Sequence, residues 1–467
     1  MSKSAFSLSA VSRALGLDTQ SEKFSYGRDD RFGIVAKEKI PEKWVKTTCG
    51  YCSVGCGMLI GVRNGEAIGV RGDPEHPVND GKLCPKGLCE HETISADGRA
   101  LYPLRRGWSG FKRVEWGEAY DLFATRVREI QAKHGADSFA ILSTGQLVTE
   151  EFYTLGKLAQ IGIGTRNYDG NTTLCMASAV AGYKRSFGSD GPPGSYDDID
   201  RADTVVLIGA NIADNHPILA YRLFKNKDRK NKDRPEGCKV VVIDPRATKT
   251  AMQADHFLPI RPRTDVYLLN GIARLLIEEG WVDEEWVREH TTGYDELVEH
   301  VEHYKLPYVA KLTRLSEGQI YEVAKLIGTS SSTLFAWTMG VNHSTQGTET
   351  VNLINNLALL TGNIGKPGAA PLSITGQCNA MGTRETGFTS SLPGYRKFES
   401  TEDRAELAEL WNIDEKLIPS QRGLAYPDII DGIADGKIKG LWIIATNPLV
   451  SFPNQDRLRR VLKGLDF

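Results

Sequence analysis

The chain has 467 residues, 40% hydrophobic and 25% charged, with a formal net charge of −2, and that length gives a prior of about three domain-sized units and a core that needs no staples. The charge argues against nucleic acid as a principal partner, and no apolar run approaches the ~18 residues that a membrane helix needs. The leading stretch "MSKSAFSLSAVSRALGLDTQSEKF" holds neither a twin arginine nor a long apolar region, so a cytoplasmic protein is expected, in which cysteines serve as metal ligands or catalytic groups more often than as disulfides.

Residues 1–46 are polar and mixed in charge and read as a loosely ordered arm or docking segment. From residue 49 to about 105 the chain is rich in glycine and cysteine. Short strands in "GMLIGVRNGEAIGVRGD" alternate with turns there, and the Asn-Gly pair in "RNGE" marks a hairpin. After "YPLRRGW" the texture changes. Apolar strands are expected at 138–144, 204–210, 239–244, 333–340 and 440–446. Helical patterns lie between them at 149–161, 217–226, 265–279, 316–327 and 348–361. This alternation predicts parallel α/β sheets buried on both faces. The strand-to-loop junctions "IGANIADNHP", "IDPRATKT" and "IATNPLVSFP" are rich in Asn, Asp and Pro, and loops at the carboxyl ends of parallel strands bind ligands in such folds. No GxGxxG fingerprint follows these strands, which disfavours an ordinary NAD-binding unit, and no HExxH pair is present.

The eight cysteines are unevenly spread. Cys49, Cys52 and Cys56 stand in "TTCGYCSVGC", and Cys84 follows in "KLCPKGLC". Structural zinc sites come as two close pairs of ligands. A tight triplet with one remote cysteine followed by proline fits a 4Fe–4S cubane better, with structural zinc as the alternative. Cys89 could replace Cys84 as fourth ligand, although a buried unligated cysteine is the expected role.

"CGYCSVGC" followed by "GKLCPKG" resembles the amino-terminal cluster domain of the molybdenum bis-molybdopterin guanine dinucleotide oxidoreductases. "YDGNTTLCMASAVAGYKRSFGSDGPPGSYDDI" resembles their molybdenum-ligand segment. "GANIADNHP", "IDPRATKTAMQADHFLPIRPRTDVYLLNGI", "MGVNHSTQGTETVNLINNLALLTGNIGKPG" and "SITGQCNAMGTRETG" resemble successive pterin-binding and core segments. The likeness runs in family order from residue 47 to about 455.

The resemblance implies an α/β fold with a small β-rich cluster domain followed by two interleaved Rossmann-like domains of largely parallel sheets. In numbers, the cluster domain spans 47–107, one discontinuous pterin-binding domain 108–170 plus 372–467, and an inserted one 171–371. It implies a 4Fe–4S cluster on Cys49, Cys52, Cys56 and Cys84, and a molybdenum bis-molybdopterin guanine dinucleotide with Cys175 as metal ligand. A thiolate there adds a soft donor to the pterin sulfurs. Formate dehydrogenases of this type carry a histidine after that cysteine. This chain has Met176, and "LCMASAV" is similar to the assimilatory and periplasmic nitrate reductases. The implied reaction is molybdenum-dependent reduction of nitrate to nitrite, with formate dehydrogenase-like chemistry or a non-catalytic electron-transfer subunit as alternatives.

By the same resemblance Lys86 lies between cluster and pterin, Arg384 serves the substrate funnel as a fixed charge for an oxyanion, and Met176 and Met339 line the metal pocket. Gln146, Asn171, Asn211, Asp244, Arg246, Asp265, Gly376 and Gln377 fall in cofactor-binding loops, with Asp265 also placed to cap the helix it precedes. Cys238 and Cys378 match no ligand role, and His216 reads as structural. Ferredoxin, flavodoxin or an NADH-linked reductase subunit all fit as electron donor. Relatives continue into a carboxy-terminal β-barrel-like domain that covers both pterins. The segment through Phe467 lacks it, so these residues alone are expected not to retain two pterins stably.

Overall fold

The computed structural model describes residues 26–29, 33–230 and 235–467, which divide into two compact units. Within the described residues, the small unit runs to Cys49 and resumes over Gly55–Ala100. It opens with an antiparallel pair, β1 (Tyr26–Asp29) and β2 (Gly33–Ala36). A meander of β3 (Lys43–Thr48), β4 (Gly57–Arg63) and β5 (Glu66–Gly72) follows. The β4–β5 turn is the Asn-Gly pair expected from sequence. Asn64 and Gly65 both take positive φ, 51° and 81°, as a twist-matched two-residue hairpin requires. Residues 1–25 of the expected arm lie outside the described residues. From Tyr26 onward the rest is not a loose arm but largely strand. Lys43–Thr48 escaped notice because only Trp44 turns inward. Its ring is covered by the Arg71 guanidinium at 4.1 Å, and the strand is held by its ladder to β4. A short helix, α1 (Pro85–Cys89), begins at Pro85 with Cys84 as its N-cap.

The large unit comprises residues 50–54 and 101–467. An exposed hairpin of β6 (Leu104–Gly107) and β7 (Gly110–Arg113) leads into helix α2 (Trp116–His134). Then come β8 (Phe139–Ser143), α3 (Thr149–Lys157), β9 (Tyr168–Gly170) and α4 (Thr172–Phe187). Next are β10 (Thr204–Ile208), α5 (Pro217–Asp228), β11 (Lys239–Ile243), β12 (His256–Leu258) and α6 (Asp265–Glu278). The chain continues through α7 (Glu317–Thr329), β13 (Thr333–Trp337), α8 (Gly347–Leu360) and β14 (Ala370–Ser373). It closes with α9 (Gly382–Glu385), α10 (Tyr426–Ala434) and β15 (Gly440–Ile443).

Two sheets result. Five strands stand in the order β12-β11-β10-β13-β14 and three in the order β15-β8-β9, every pairing parallel. Every residue of β8, β10 and β13 is buried, as continuous apolar runs in a doubly covered sheet require. Along β8 the alternation feeds two cores. Phe139 and Ile141 pack with Tyr168, Phe388 and Phe398, while Ala140 and Leu142 pack with Tyr426, Ile429 and Ile430. β14 was not expected because Pro371 interrupts it. The strand lies at the sheet's edge, where a missing N–H is tolerated.

Candidate functional site

In parallel sheets all carboxyl ends open on one edge, and the predicted polar residues stand in the loops at those ends. After β10 and β13, Gly209 and Gly340 meet so closely that a Cβ on Gly340 would lie 2.5 Å from the Gly209 Cα. The Thr338 hydroxyl donates to the Gly209 carbonyl at 2.7 Å, locking the two loops together. Asn211 receives the Thr250 hydroxyl at 2.9 Å and donates to Asp214 at 2.8 Å. Asp244, just past β11, accepts the Arg246 N–H at 2.9 Å. Asp265 is not the helix cap. Thr264 holds that position and Asp265 is the first helical residue. Burial pushes its carboxyl upward, with a further contribution from the charge of Asp244.

At the edge of the three-stranded sheet, Asn171 and Gln377 are brought together across 206 positions of sequence. The Gln377 amide donates to the Asn171 Oδ1 at 2.9 Å and to the Thr144 hydroxyl at 3.0 Å. Asn171 also accepts the Gly145 N–H at 3.2 Å and donates to the Thr446 hydroxyl at 3.0 Å. Gln146 donates to the Tyr51 carbonyl at 3.2 Å. Just upstream of Asn171, the wholly buried Asp169 accepts from the Thr173 hydroxyl at 2.7 Å and from the Tyr426 N–H at 2.6 Å. Burial pushes its carboxyl up to about 6, against those hydrogen bonds.

Between these edges, Cys175 sits on the first turns of α4 with its Sγ 3.4 Å from the Met339 Sδ. Burial pushes its thiol upward, opposed by the Gly376 N–H and the positive charge of Arg384. The Met176 sulfur accepts the Thr375 hydroxyl at 2.8 Å. Cys175 and Met176 on α4 therefore meet Met339 and Thr375 from distant parts of the sequence. Arg384 is placed otherwise than a bare funnel charge. Its side chain is buried, with Nε on Asp190 at 2.5 Å and Nη1 on the Ala380 carbonyl at 3.3 Å. A cavity of about 330 Å³ opens beside this group, walled by Met176, Tyr183, Asp190, Tyr196, Thr375 and Met381. Asp190 thus reaches the cavity with Arg384 behind it. Sequence reasoning passed over Asp190, Tyr183 and Tyr196, since a lone acid or tyrosine in a loop carries no spacing signal. The expectation for His216 is in line with its burial and its 2.8 Å hydrogen bond to the Thr375 carbonyl.

Of the cluster cysteines, Cys49, Cys56 and Cys84 lie in the small unit and Cys52 in the 50–54 segment. Cys49 and Cys56 are buried, Cys52 and Cys84 half-buried, and none forms a disulfide. The Cys49 N–H donates to the Cys56 carbonyl at 2.8 Å, closing the loop between them. Cys89 is exposed, not buried as expected, because α1 is a single short turn whose end faces outward. Among the described residues no three His, Cys, Asp or Glu side chains gather at single-ion distance.

The family model described as "Molybdopterin oxidoreductase" matches residues 99–467. The chain belongs to that family. A second model, "Molybdopterin oxidoreductase Fe4S4 domain", matches residues 42–95. A nitrate reductase of Synechocystis sp. is 38% identical over 90% of this chain and 60% of its own length. The alpha subunit of an F420-dependent formate dehydrogenase from Methanocaldococcus jannaschii is 35% identical over 91% of this chain and 61% of its own. Among solved structures, acetylene hydratase from Pelobacter acetylenicus shares the fold, with a TM-score of 0.69 at 23% identity over 90% of this chain and 60% of that one. The chain spans about three fifths of the length of these relatives.

Membership brings a molybdopterin cofactor and a 4Fe–4S cluster, and the residues present fit both. Five thiols uncommitted to disulfides, Cys49, Cys52, Cys56, Cys84 and Cys89, stand in the matched cluster segment. On the molybdopterin side, a Cβ on Gly376 would meet only open space. Beside it the buried Gln377 Oε1 has no hydrogen-bond partner among the described residues, so an incoming N–H donor would satisfy it.

Proposed function

We propose that this chain carries the cluster-binding and metal-binding parts of a molybdenum enzyme that reduces nitrate to nitrite. Cys49, Cys52, Cys56 and Cys84 would hold the cluster, which would supply the entry point for electrons. The observation that carries the reading is Met176, directly after Cys175, with its sulfur fixed by the Thr375 hydroxyl. A thioether has no proton to take or give, so this position offers no base for drawing hydrogen from formate. Removing oxygen from nitrate needs none at that point. Bound there, the molybdopterin group supplies the metal that takes oxygen and electrons. Cys175 would hold the metal, Met176 and Met339 shape its pocket, and Arg384 acts through Asp190 to fix the charge at the cavity wall.

Lys86 would lie between cluster and pterin. Gln146, Asn171, Asn211, Asp244, Arg246, Asp265, Gly376 and Gln377 would hold a bis-guanine dinucleotide form of the cofactor. Residues 171–371 and the flanking 108–170 with 372–467 would be its two binding domains. A cytoplasmic site of action, with ferredoxin, flavodoxin or an NADH-linked subunit as donor, belongs to the same reading.

A formate dehydrogenase is the second reading. His343 favours it. Its backbone N–H donates to the carbonyl of Met339, the methionine that meets Cys175, at 3.0 Å, and partial desolvation holds its ring toward the neutral form. Reduced viologen supplied with nitrate, and oxidised viologen supplied with formate, separate the two when tested on the complete protein. Nitrate-dependent viologen oxidation is expected, and turnover of formate alone would replace the first reading with the second.

A further inference from the structure

The contacts of residues 51 and 53 draw a line from one proposed metal ligand to another. The Ser53 N–H donates to the Gly376 carbonyl at 3.0 Å, and the Ser53 hydroxyl donates to the Thr375 carbonyl. The Tyr196 phenol donates to the Ser53 carbonyl at 2.9 Å. On the other side of Cys52, the Tyr51 carbonyl receives the Gln146 amide at 3.2 Å. Both neighbours of Cys52 are therefore tied down within the large unit. The loop that receives Ser53 is the one that steadies the metal-ligand turn. Its Thr375 hydroxyl holds the sulfur of Met176, the residue bonded to Cys175, at 2.8 Å. Thr375 accepts from the Ser53 hydroxyl with its carbonyl and donates to Met176 with its own hydroxyl. Two hydrogen bonds and a few covalent bonds thus connect Cys52 to Cys175, by a path that does not include Lys86.

We propose that Ser53 and Tyr196 are positioning residues that couple the cluster ligand Cys52 to the metal-ligand turn at Cys175 through Thr375. The strap gives electrons a protein route beside the one through Lys86 and the pterin. The proposal rests on the reading of Cys52 and Cys175 as ligands. Single electrons pass from the reduced cluster to the oxidised metal site, the donor protein replaces them, and no bond in the strap is made or broken. Bonded and hydrogen-bonded contacts transmit electronic coupling better than gaps do. Hydrogen bonds in series also polarise one another in a low-dielectric interior. Tyr196 holds the strap from outside, so its loss lets Ser53 drift while leaving all four cluster cysteines intact.

The test uses the complete, cofactor-loaded enzyme with Tyr196→Phe, and Ser53→Ala as an independent variant. Hydrogen exchange at the Ser53 and Gly376 amides, EPR splitting between the reduced cluster and the paramagnetic metal site, and the rate of cluster reoxidation on adding nitrate are measured together. Faster exchange, weaker splitting and several-fold slower reoxidation, with iron and molybdenum contents retained, are expected of both variants. Faster exchange with unchanged splitting and reoxidation would overturn the strap, as would unchanged exchange. Cys52→Ser and Cys175→Ser test the underlying reading separately. If the cluster and metal-site signals survive those substitutions unchanged, the ligand assignment has failed, and the strap with it.

Discussion

In the large unit, β8, β10 and β13 are buried from end to end, whereas in the small unit β3 turns one residue inward and β5 buries only Gly72. Among the described residues, the buried hydrophobic side chains of the small unit come down to Cys49, Cys56, Met58 and Leu59. Half of them are proposed cluster ligands. Asn79 does part of the remaining work. Its amide side chain bonds both the N–H and the carbonyl of Gly57, at 2.8 and 3.0 Å, and the Lys82 carbonyl at 2.7 Å. A unit with so little apolar burial is expected to draw on its inorganic group to offset the entropy of ordering its loops. The sheets of the large unit carry their own cores. One molecule thus uses two means of stabilisation, and the difference can be broken experimentally.

The largest effect is expected from the cluster. Cys49→Ala, or oxidative loss of the iron, should abolish the low-temperature EPR signal and raise hydrogen exchange across residues 43–72. The amides of β10 and β13 should stay protected. If β3–β5 kept their protection without iron, the small unit would be self-sufficient and the contrast would fall.

Within the large unit, Asp190→Asn leaves the buried Arg384 guanidinium without its charge partner. A loss of about 3–5 kcal/mol in denaturant unfolding is expected, with the cluster signal retained. A loss under about 1 kcal/mol would mean that the pair is effectively solvated.

Asp169 offers a pH-dependent measure of the same unit. Its folded-state value is pushed up to about 6 by burial from an ordinary 3.8. Between those two values the unfolded chain binds fewer protons than the folded one, so this group lowers stability as the pH rises from about 4 to about 6. It adds nothing further outside that window. Unfolding midpoints of wild type and Asp169→Asn should diverge over this interval by on the order of 2–3 kcal/mol. Parallel pH curves would show that the carboxyl is not desolvated.

The smallest expected effect is steric. Gly340→Ala drives a Cβ to 2.5 Å from the Gly209 Cα, and separating the two loops should cost about 1–3 kcal/mol. Thermal unfolding of the large unit would shift accordingly, and an unchanged midpoint would show that the loops part freely.

Local signals made much of this fold legible before any coordinates. The Asn-Gly turn followed from two adjacent residues, and the buried strands followed from continuous apolar runs. The cysteine triplet with its remote partner, and the cysteine followed by methionine, stood out as motifs. The misses share a cause. β3 has one inward side chain, β14 carries a proline excused by its edge position, and Cys89 sits at an exposed helix end. In each case local composition points one way and the neighbours decide the other.

The site divides along the same line. Residue type and order determined that Cys175, Met176, Arg384 and the polar junction loops were candidates, because thiols, thioethers and fixed charges declare their chemistry wherever they stand. Tertiary structure alone decided that Cys175 meets Met339 across 164 positions and that Arg384 is answered by Asp190 across 194. It alone decided that Ser53 and Met176 both meet Thr375. Parallel strands bring carboxyl ends from distant parts of the chain to one edge, and no local pattern in the sequence encodes which of those ends will touch.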